Sequence, residues 1–333
     1  MKEKILALLE ENQMVSGGDI SKQLGVSRTA VWKAVNALRQ QGYEISSTPG
    51  GGYSLNRDND LLARPAIWSG LKTRLLGRQL ELLPSVDSTN HYLKLAAQQG
   101  APEGLTVVAR EQTQGKGRLG RSFHSPPQGG IYMSVLLRPK APAADCALFT
   151  AATAVCVCRA VQEVAGAELS IKWVNDLLYQ GKKVCGILTE AALELEGSRL
   201  DYMIVGIGIN TGGPGLTLPP ELDQIATTLY DICGVPNLRN RLIAAILNHL
   251  EDFYLSAEAR KEDVLAEYSR RLCLKGQQIR LSTGDPGRLF TAIDIDDQAG
   301  LIIEDSGGAR QTLTYGEVSV IPTRQQTGGK TTV

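Results

Sequence analysis

Three short stretches of the chain carry residues suited to an anionic ligand. The first, Gly115-Lys-Gly-Arg-Leu-Gly-Arg121, puts three glycines and three cations into seven residues. Glycine lets backbone N–H groups come close to a ligand, and Lys116, Arg118 and Arg121 bring the charge that neutralises phosphate. A mobile surface loop with solvated charges is the plainer reading; the position between two apolar strands favours anion binding. The second, Ile171-Lys-Trp-Val-Asn-Asp-Leu177, sets Lys172, Asn175 and Asp176 at a strand end just before a hairpin. A β-turn at Asn175-Asp176 accounts for the polar pair equally well. In the third, Lys182-Lys183 precedes Val-Cys-Gly-Ile-Leu-Thr-Glu190, and a lysine at the mouth of such a strand can reach a phosphate or a developing oxyanion. Each signal is weak alone.

Several other chemistries are excluded. Gly115–Gly120 matches G-x-G-x-x-G, but Arg121-Ser-Phe-His-Ser-Pro-Pro and a strand follow it. A dinucleotide fold requires the loop to open directly into a helix. No G-x-x-x-x-G-K-[ST] is present. The three His (91, 124 and 249) are scattered and no C-x-x-C pair occurs, so no metal site is expected among the protein's own ligands. Lys+Arg and Asp+Glu both number 35, which excludes an overall basic coat but not a local basic patch. The six cysteines include Cys146, Cys156, Cys158 and Cys185 in apolar stretches, where they read as buried thiols of a reducing cytoplasm. The run Ala151–Cys158 is far short of the ~20 residues of a membrane span. The amphipathic N-terminus lacks the features of a signal peptide.

The elements that would position these stretches fall into three parts. Residues 1–60 read as a small DNA-binding domain. Helices are expected at Lys2–Asn12, Asp19–Leu24 and from Ser27 to about Gln41, then two short strands, Tyr43–Ser46 and Gly52–Leu55. That is the winged helix-turn-helix order, with Gly25 at the turn. The third helix carries Arg28, Lys33 and Arg39 and no acid, the charge footprint of a recognition helix. Ser27, Arg28, Thr29, Lys33 and Arg39 are the candidate DNA contacts. A helical docking module is the alternative. Residues 57–66 read as a linker. Residues 67–271 alternate strands and helices, with consecutive strands from 169 to 210 that must form hairpins. The expectation is an α+β domain with a mixed sheet. Residues 274–323 hold five short strands, a small β-barrel, and the tail Gln325–Val333 reads as disordered.

Taken together, the motifs resemble the biotin protein ligases, specifically the bifunctional type that also represses the biotin operon. The matching residues are Asp87-Ser-Thr-Asn90, the loop from Gln112 to Arg121, Lys172-Trp-Val-Asn-Asp-Leu177, Lys183-Val-Cys-Gly-Ile-Leu188, Val205-Gly-Ile-Gly-Ile-Asn210 and Gly316-Glu-Val-Ser-Val320. Order and spacing agree over nearly the whole chain. Three positions depart from the family pattern: Lys116 where Arg is usual, Phe123 where Trp is usual, and Val174 where Pro is usual. The resemblance implies a class II synthetase-like central domain and an SH3-like C-terminal barrel.

It also implies a reaction. Biotin and Mg·ATP condense to biotinoyl-5′-AMP, and the acyl group then passes to a lysine of the biotin carboxyl carrier protein of acetyl-CoA carboxylase. Ser88, Thr89, Asn90 and Gln112 would hold biotin, together with Lys116, Gly117, Arg118 and Lys183. Gly115, Lys116, Gly117, Arg118, Arg121, Lys172, Asn175, Asp176 and Asn210 would hold the nucleotide, and Lys183 and Arg118 would act in catalysis. The resemblance further implies operator DNA and a homodimer formed on adenylate binding, with no membrane involved. Lipoate ligases share the chemistry; a non-catalytic ligand sensor is the other alternative.

Overall fold

The computed structural model describes all residues except 41–42, 44, 49, 56–59, 143–144, 194–198, 283–287, 315, 317 and 321–333. Three expectations from sequence therefore lie wholly or partly outside the described residues: the helix stop at Gly42, the C-terminal tail, and parts of the linker and of the last strand.

The N-terminal unit has the expected order. Helices α1 (Lys2–Glu11), α2 (Gly17–Leu24) and α3 (Arg28–Gln40) precede strands β1 (Ile45–Thr48) and β2 (Gly52–Leu55), which pair antiparallel. Local chemistry sets each boundary. The Ser16 hydroxyl accepts from the Asp19 N–H to start α2, and Gly25, at φ 64°, ends it in a left-handed turn. The Ser27 hydroxyl accepts from the Ala30 N–H at the start of α3. These are the preferred caps for helix starts and ends. Ile5, Leu9, Ile20, Val31, Val35 and Leu38 close a core of their own.

Residues 60–66 are not a free tether. Asp60 bonds the buried Arg239, with 2.6 Å from Nε to Oδ2, and Asn240 bonds both the Ala63 N–H and the Leu61 carbonyl. The short helix α4 (Arg64–Gly70) follows, and Glu3 of α1 reaches Arg64 across it at 3.3 Å. Pro65 is a false linker signal there: at N1 of a helix a missing N–H costs nothing.

The central sheet has seven strands: β3 (Leu80–Leu83), β4 (Thr106–Ala109), β5 (Gly130–Leu137), β6 (Ser170–Lys172), β7 (Asp176–Tyr179), β8 (Lys182–Leu193) and β9 (Leu200–Asn210). Their order is β3-β4-β5-β9-β8-β7-β6. Only β3–β4 is parallel, so the sheet is mixed as expected. One face packs on α6 (Cys146–Ala165), α8 (Arg239–Leu255) and α9 (Ala257–Arg271). The other carries α5 (Thr89–Gln98). Helix α6 is long and apolar enough to cross a membrane by length and composition, which the short run Ala151–Cys158 does not reveal. It serves instead as the core helix, with 72% of its most apolar stretch buried. A short helix α7 (Leu229–Cys233), capped by Thr228, is a further element that the sequence pattern does not signal. Cys156, Cys158 and Cys185 are buried as expected, and Cys146 is half-buried.

The C-terminal strands β10 (Gln278–Leu281), β11 (Phe290–Ile295), β12 (Leu301–Asp305), β13 (Arg310–Leu313) and β14 (Val318–Val320) form one antiparallel sheet in the order β13-β12-β11-β10-β14. Among the described residues no ladder joins β13 to β14, so the observed form is a five-stranded sheet rather than a demonstrated closed barrel. Its inner residues Ile279, Phe290, Leu301 and Ile303 belong to the same apolar core as the central sheet. The Trp173 indole donates to the Ala299 carbonyl at 3.0 Å across that junction.

Candidate active site

A cleft opens on the α5 face of the central sheet, and alternation along β8 and β9 builds its floor. Gly206 and Gly208 of β9 face the cleft, while Val205 and Ile209 face the core behind. In register, Gly186 of β8 lies opposite Gly208, and Leu188 opposite Gly206. Glycine is required at these places by close approach. A Cβ on Gly206 would stand 2.1 Å from Asn90 Oδ1, and one on Gly208 would stand 2.6 Å from the Phe123 ring. Three glycines on paired strands thus mark a surface on which other groups lie directly.

One wall is the start of α5. Ser88 is its N-cap, with its hydroxyl accepting from the His91 N–H at 3.5 Å. Thr89 and Asn90 form the first turn, and all three are at least nine-tenths buried. The Gln112 Oε1 accepts from the Thr89 N–H at 2.9 Å, and the Gln112 Nε2 donates to Ser125 at 3.0 Å. Asp87 bonds His91 and the Ser88 N–H. Partial burial pushes the Asp87 carboxyl up; its hydrogen bonds to His91 and Ser88 and the nearby Lys116 outweigh this and hold it below its ordinary value.

The glycine-rich loop forms the opposite wall. It folds back on itself, with Gly117 N–H bonded to the Arg121 carbonyl at 2.7 Å and Phe123 N–H bonded to the Gly115 carbonyl at 2.8 Å. Gly115 is needed because a Cβ there would stand 2.4 Å from the Phe123 carbonyl. The Phe123 ring therefore sits on Gly208 and Gly186, with the Lys183 ammonium 6.0 Å from the ring centroid. Arg118 crosses the cleft and donates to Asn175 Oδ1 at 3.3 Å, while Asn175 donates to the Ile187 carbonyl at 2.8 Å.

Lys183 stands at the cleft mouth. Its ammonium pairs with Asp176 Oδ1 at 2.7 Å, both side chains being partly exposed. Its backbone is held by the Ile225 carbonyl and the Thr227 N–H. This is a cation in a fixed position whose present partner is a carboxylate, so an anionic ligand can take its place.

Of the residues singled out from sequence, Ser88, Thr89, Asn90, Gln112, Lys116, Gly117, Arg118, Asn175 and Lys183 line this one cleft. Asp176 reaches it through Lys183, and Gly115 shapes the loop behind it. Arg121, Lys172 and Asn210 do not line it. Lys172 lies on β6 opposite Asp176. Asn210 instead bonds the Lys183 and Thr227 carbonyls, at 3.4 Å each, and so steadies the strand that carries Lys183. The sequence alone does not single out Phe123 as a filler of the cleft, nor Ser134 and Glu190, which bond Asn90. A lone Ser inside the apolar run Ile131–Leu137 is the available signal for Ser134.

On α3, Ser27, Arg28, Thr29 and Lys33 are exposed, and Trp32 beside them is 54% exposed. Arg39 departs from the expectation. Its Nε donates to the Ile45 carbonyl at 2.8 Å and its Nη1 to Asn36, so its charge ties the helix to the hairpin. Counting all three cations of the helix therefore overstates what is available to DNA.

Comparison with known proteins follows the same division. Residues 82–210 match the biotin/lipoate A/B protein ligase family, and residues 2–54 match an HTH domain. The bifunctional ligase/repressor BirA of Bacillus subtilis is 37% identical, covering 90% of this chain and 92% of the relative. The protein of that name from Escherichia coli is 30% identical, covering 95% and 96%. The biotin protein ligase of Aquifex aeolicus, solved in complex with biotin and ATP, superposes with a TM-score of 0.62 at 30% identity, over 74% of this chain and 100% of that one.

Proposed function

The chain belongs to the family of bifunctional biotin ligase/repressors, and on that premise we propose that the cleft over Gly186, Gly206 and Gly208 holds biotin and the α-phosphate of ATP side by side. The protein is an ATP-dependent biotin protein ligase that also acts as a DNA-binding repressor through its helix-turn-helix unit. One observation carries the assignment of the site: a buried polar wall of Ser88, Thr89, Asn90 and Gln112 faces Lys183 and Arg118 across a single cleft.

The polar wall suits the ureido ring, whose N–H and C=O groups need fixed partners. The glycine floor suits the apolar acyl chain. The biotin carboxylate then lies toward Lys183. Its attack on the α-phosphate joins two anions, so positive charge must be fixed there before reaction. Lys183 supplies that charge once the ligand displaces Asp176. Pyrophosphate leaves, and the acyl-adenylate remains under the loop carrying Lys116, Gly117 and Arg118, where water is excluded. The carrier lysine amine then attacks the acyl carbonyl and AMP departs.

Mg²⁺ fits this donor set. It binds through one or two carboxylates plus substrate phosphates, and the partly exposed Asp176, with Asn175 beside it, offers such a ligand. When bound, the ion would screen the phosphate charge.

We assign the carrier as the biotin carboxyl carrier protein of acetyl-CoA carboxylase and the location as the cytoplasm, which suits six unpaired thiols. The domains are proposed as 1–60, 67–271 and 274–323, with residues 60–66 docked on α8. The direct test is to incubate the protein with biotin, Mg·ATP and a carrier domain and to probe for a biotinylated lysine. No label on the carrier overturns the assignment.

Two substitutions test the walls of the cleft. Arg118→Gly removes the bond to Asn175 that closes the loop. Biotinoyl-AMP should still form but escape, and unrelated lysines in the mixture should become labelled. Absence of any adenylate would instead make Arg118 a residue of the chemical step. Gly208→Ala puts a methyl where the Phe123 ring now lies, an overpacking worth about 1–3 kcal/mol. The KM for biotin should rise by about fivefold to a hundredfold, with the KM for ATP much less affected. Steady-state kinetics with each substrate varied in turn distinguishes these outcomes.

A further inference from the structure

Behind the polar wall runs a chain of buried hydrogen bonds that reaches Glu190. The Asn90 Nδ2 donates to Glu190 Oε2 at 2.7 Å and to the Leu188 carbonyl at 3.1 Å. The Ser134 hydroxyl lies 2.7 Å from Asn90 Oδ1 and 2.7 Å from Thr89 Oγ1. Ser134 is fully buried, and Thr89 and Asn90 are nearly so.

The direction of every bond in this chain follows from its far end. A carboxylate and a peptide carbonyl can only accept. Both Asn90 amide protons therefore point at Glu190 and Leu188, and its Oδ1 points at Ser134. Ser134 has one proton, which must go to Asn90 Oδ1. Its contact with Thr89 is then satisfied only if Thr89 donates. The Thr89 hydroxyl has now used its proton, so it presents only lone pairs to the cleft. Gln112 is fixed independently. Ser125 donates to the Phe123 carbonyl, so it accepts from Gln112 Nε2, which leaves Gln112 Oε1 facing Thr89. Two acceptors, Thr89 Oγ1 and Gln112 Oε1, thus stand together at the cleft.

We propose that Glu190 is a positioning residue that sets the hydrogen-bond polarity of the biotin pocket, making Thr89 an obligate acceptor for a ureido N–H. Glu190 lines no part of the cleft; it acts through Asn90 and Ser134. Without an acceptor at 190, the Asn90 carboxamide is free to turn over. Ser134 then donates to Thr89, and Thr89 offers a proton to a ligand that also offers one. The inference rests on the assignment of this cleft to biotin.

The test uses full-length E190L, E190Q and S134A, with biotin affinity measured by calorimetry alongside kinetics and thermal melting. E190L removes the acceptor and should weaken biotin binding by about tenfold to a hundredfold, as expected when one buried bond is reversed. The KM for ATP and the kcat at saturating biotin should stay within about threefold of wild type. E190Q can still accept through its amide oxygen and should restore biotin affinity to within about threefold. S134A cuts the chain in the middle and should weaken biotin as E190L does. Unchanged biotin affinity in E190L or in S134A, with melting temperatures preserved, overturns the proposal, as does equal damage in E190Q and E190L. If E190L melts, S134A against E190Q decides. Failure of the wild-type protein to bind biotin would instead overturn the assignment of the cleft.

Discussion

Lys183→Ala is expected to slow formation of biotinoyl-5′-AMP by about 30- to 1,000-fold, corresponding to about 2–4 kcal/mol of lost stabilisation. The reaction brings a carboxylate against an α-phosphate, and the repulsion between them is largest at the transition state. A cation already fixed at that point lowers the barrier because nothing has to reorganise when charge develops. Lys183 meets the requirement. Its backbone is pinned between Ile225 and Thr227, Asn210 braces its carbonyl, and its ammonium stands at the cleft mouth. The alanine variant should fold normally. The side chain is partly exposed, and Asp176, its present partner, is exposed enough to be solvated once left alone. Pyrophosphate release in the absence of carrier reads the adenylation step alone, and thermal melting checks the fold. An unchanged rate of release would remove Lys183 from the chemistry. Lys183→Arg keeps the charge but changes its shape and reach, so it should recover only part of the rate.

The residues whose types carry charge or hydrogen-bonding capacity are largely legible in the sequence. Ser88 can be read as both a helix cap and a ligand contact, since a serine before a helix with an open N-terminus suits either role. The hairpins from 169 to 210 follow from strands without room for helices between them. Other features are hidden for definite physical reasons. Arg39 counts as a cation in sequence, but only the fold shows that the Ile45 carbonyl has captured it. Helix α4 hides behind Pro65, because proline breaks most helices yet suits the first turn. Closure of five strands into a barrel depends on one long-range pairing that local patterns do not encode, and the described residues contain a sheet. Phe123 can be placed in the loop from sequence, but its seat on Gly208 depends on which face of β9 the glycines occupy, and register alone fixes that. The role of Asn210 is obscured in a similar way: a polar residue ending a strand beside glycines looks like a ligand contact, whereas it braces the neighbouring strand.

Operator binding should strengthen by about 5- to 150-fold when biotin and ATP are supplied together, the span of typical coupling between two sites. The argument starts from how little a single helix-turn-helix unit offers. With Arg39 engaged, α3 presents Arg28 and Lys33, beside Ser27 and Thr29, to a phosphate backbone. Two cations release few counterions, so one protomer holds DNA weakly and with a shallow salt dependence. Two protomers on a two-fold operator double the contacts and fix their spacing. Dimerisation therefore controls occupancy, and whatever promotes the dimer acts as corepressor. The adenylate is the natural candidate, because its loop, from Gly115 to Arg121, is tied across the cleft by the Arg118–Asn175 bond and has ligand contacts to gain. A loop ordered by ligand can complete a dimer surface and shift the monomer–dimer equilibrium. If the carrier protein docks on that same surface, unbiotinylated carrier should compete with the dimer and release the operator, whereas biotinylated carrier should not. Removing residues 1–56 should abolish operator binding and leave biotin transfer measurable, since the cleft residues all lie beyond that point. Gel-shift titrations with biotin alone, ATP alone, both together, and both with apo carrier separate these steps, and sedimentation at the same concentrations reports the dimer directly. Equal operator affinity with and without the adenylate would sever the link and leave a ligase and a repressor acting independently on one chain.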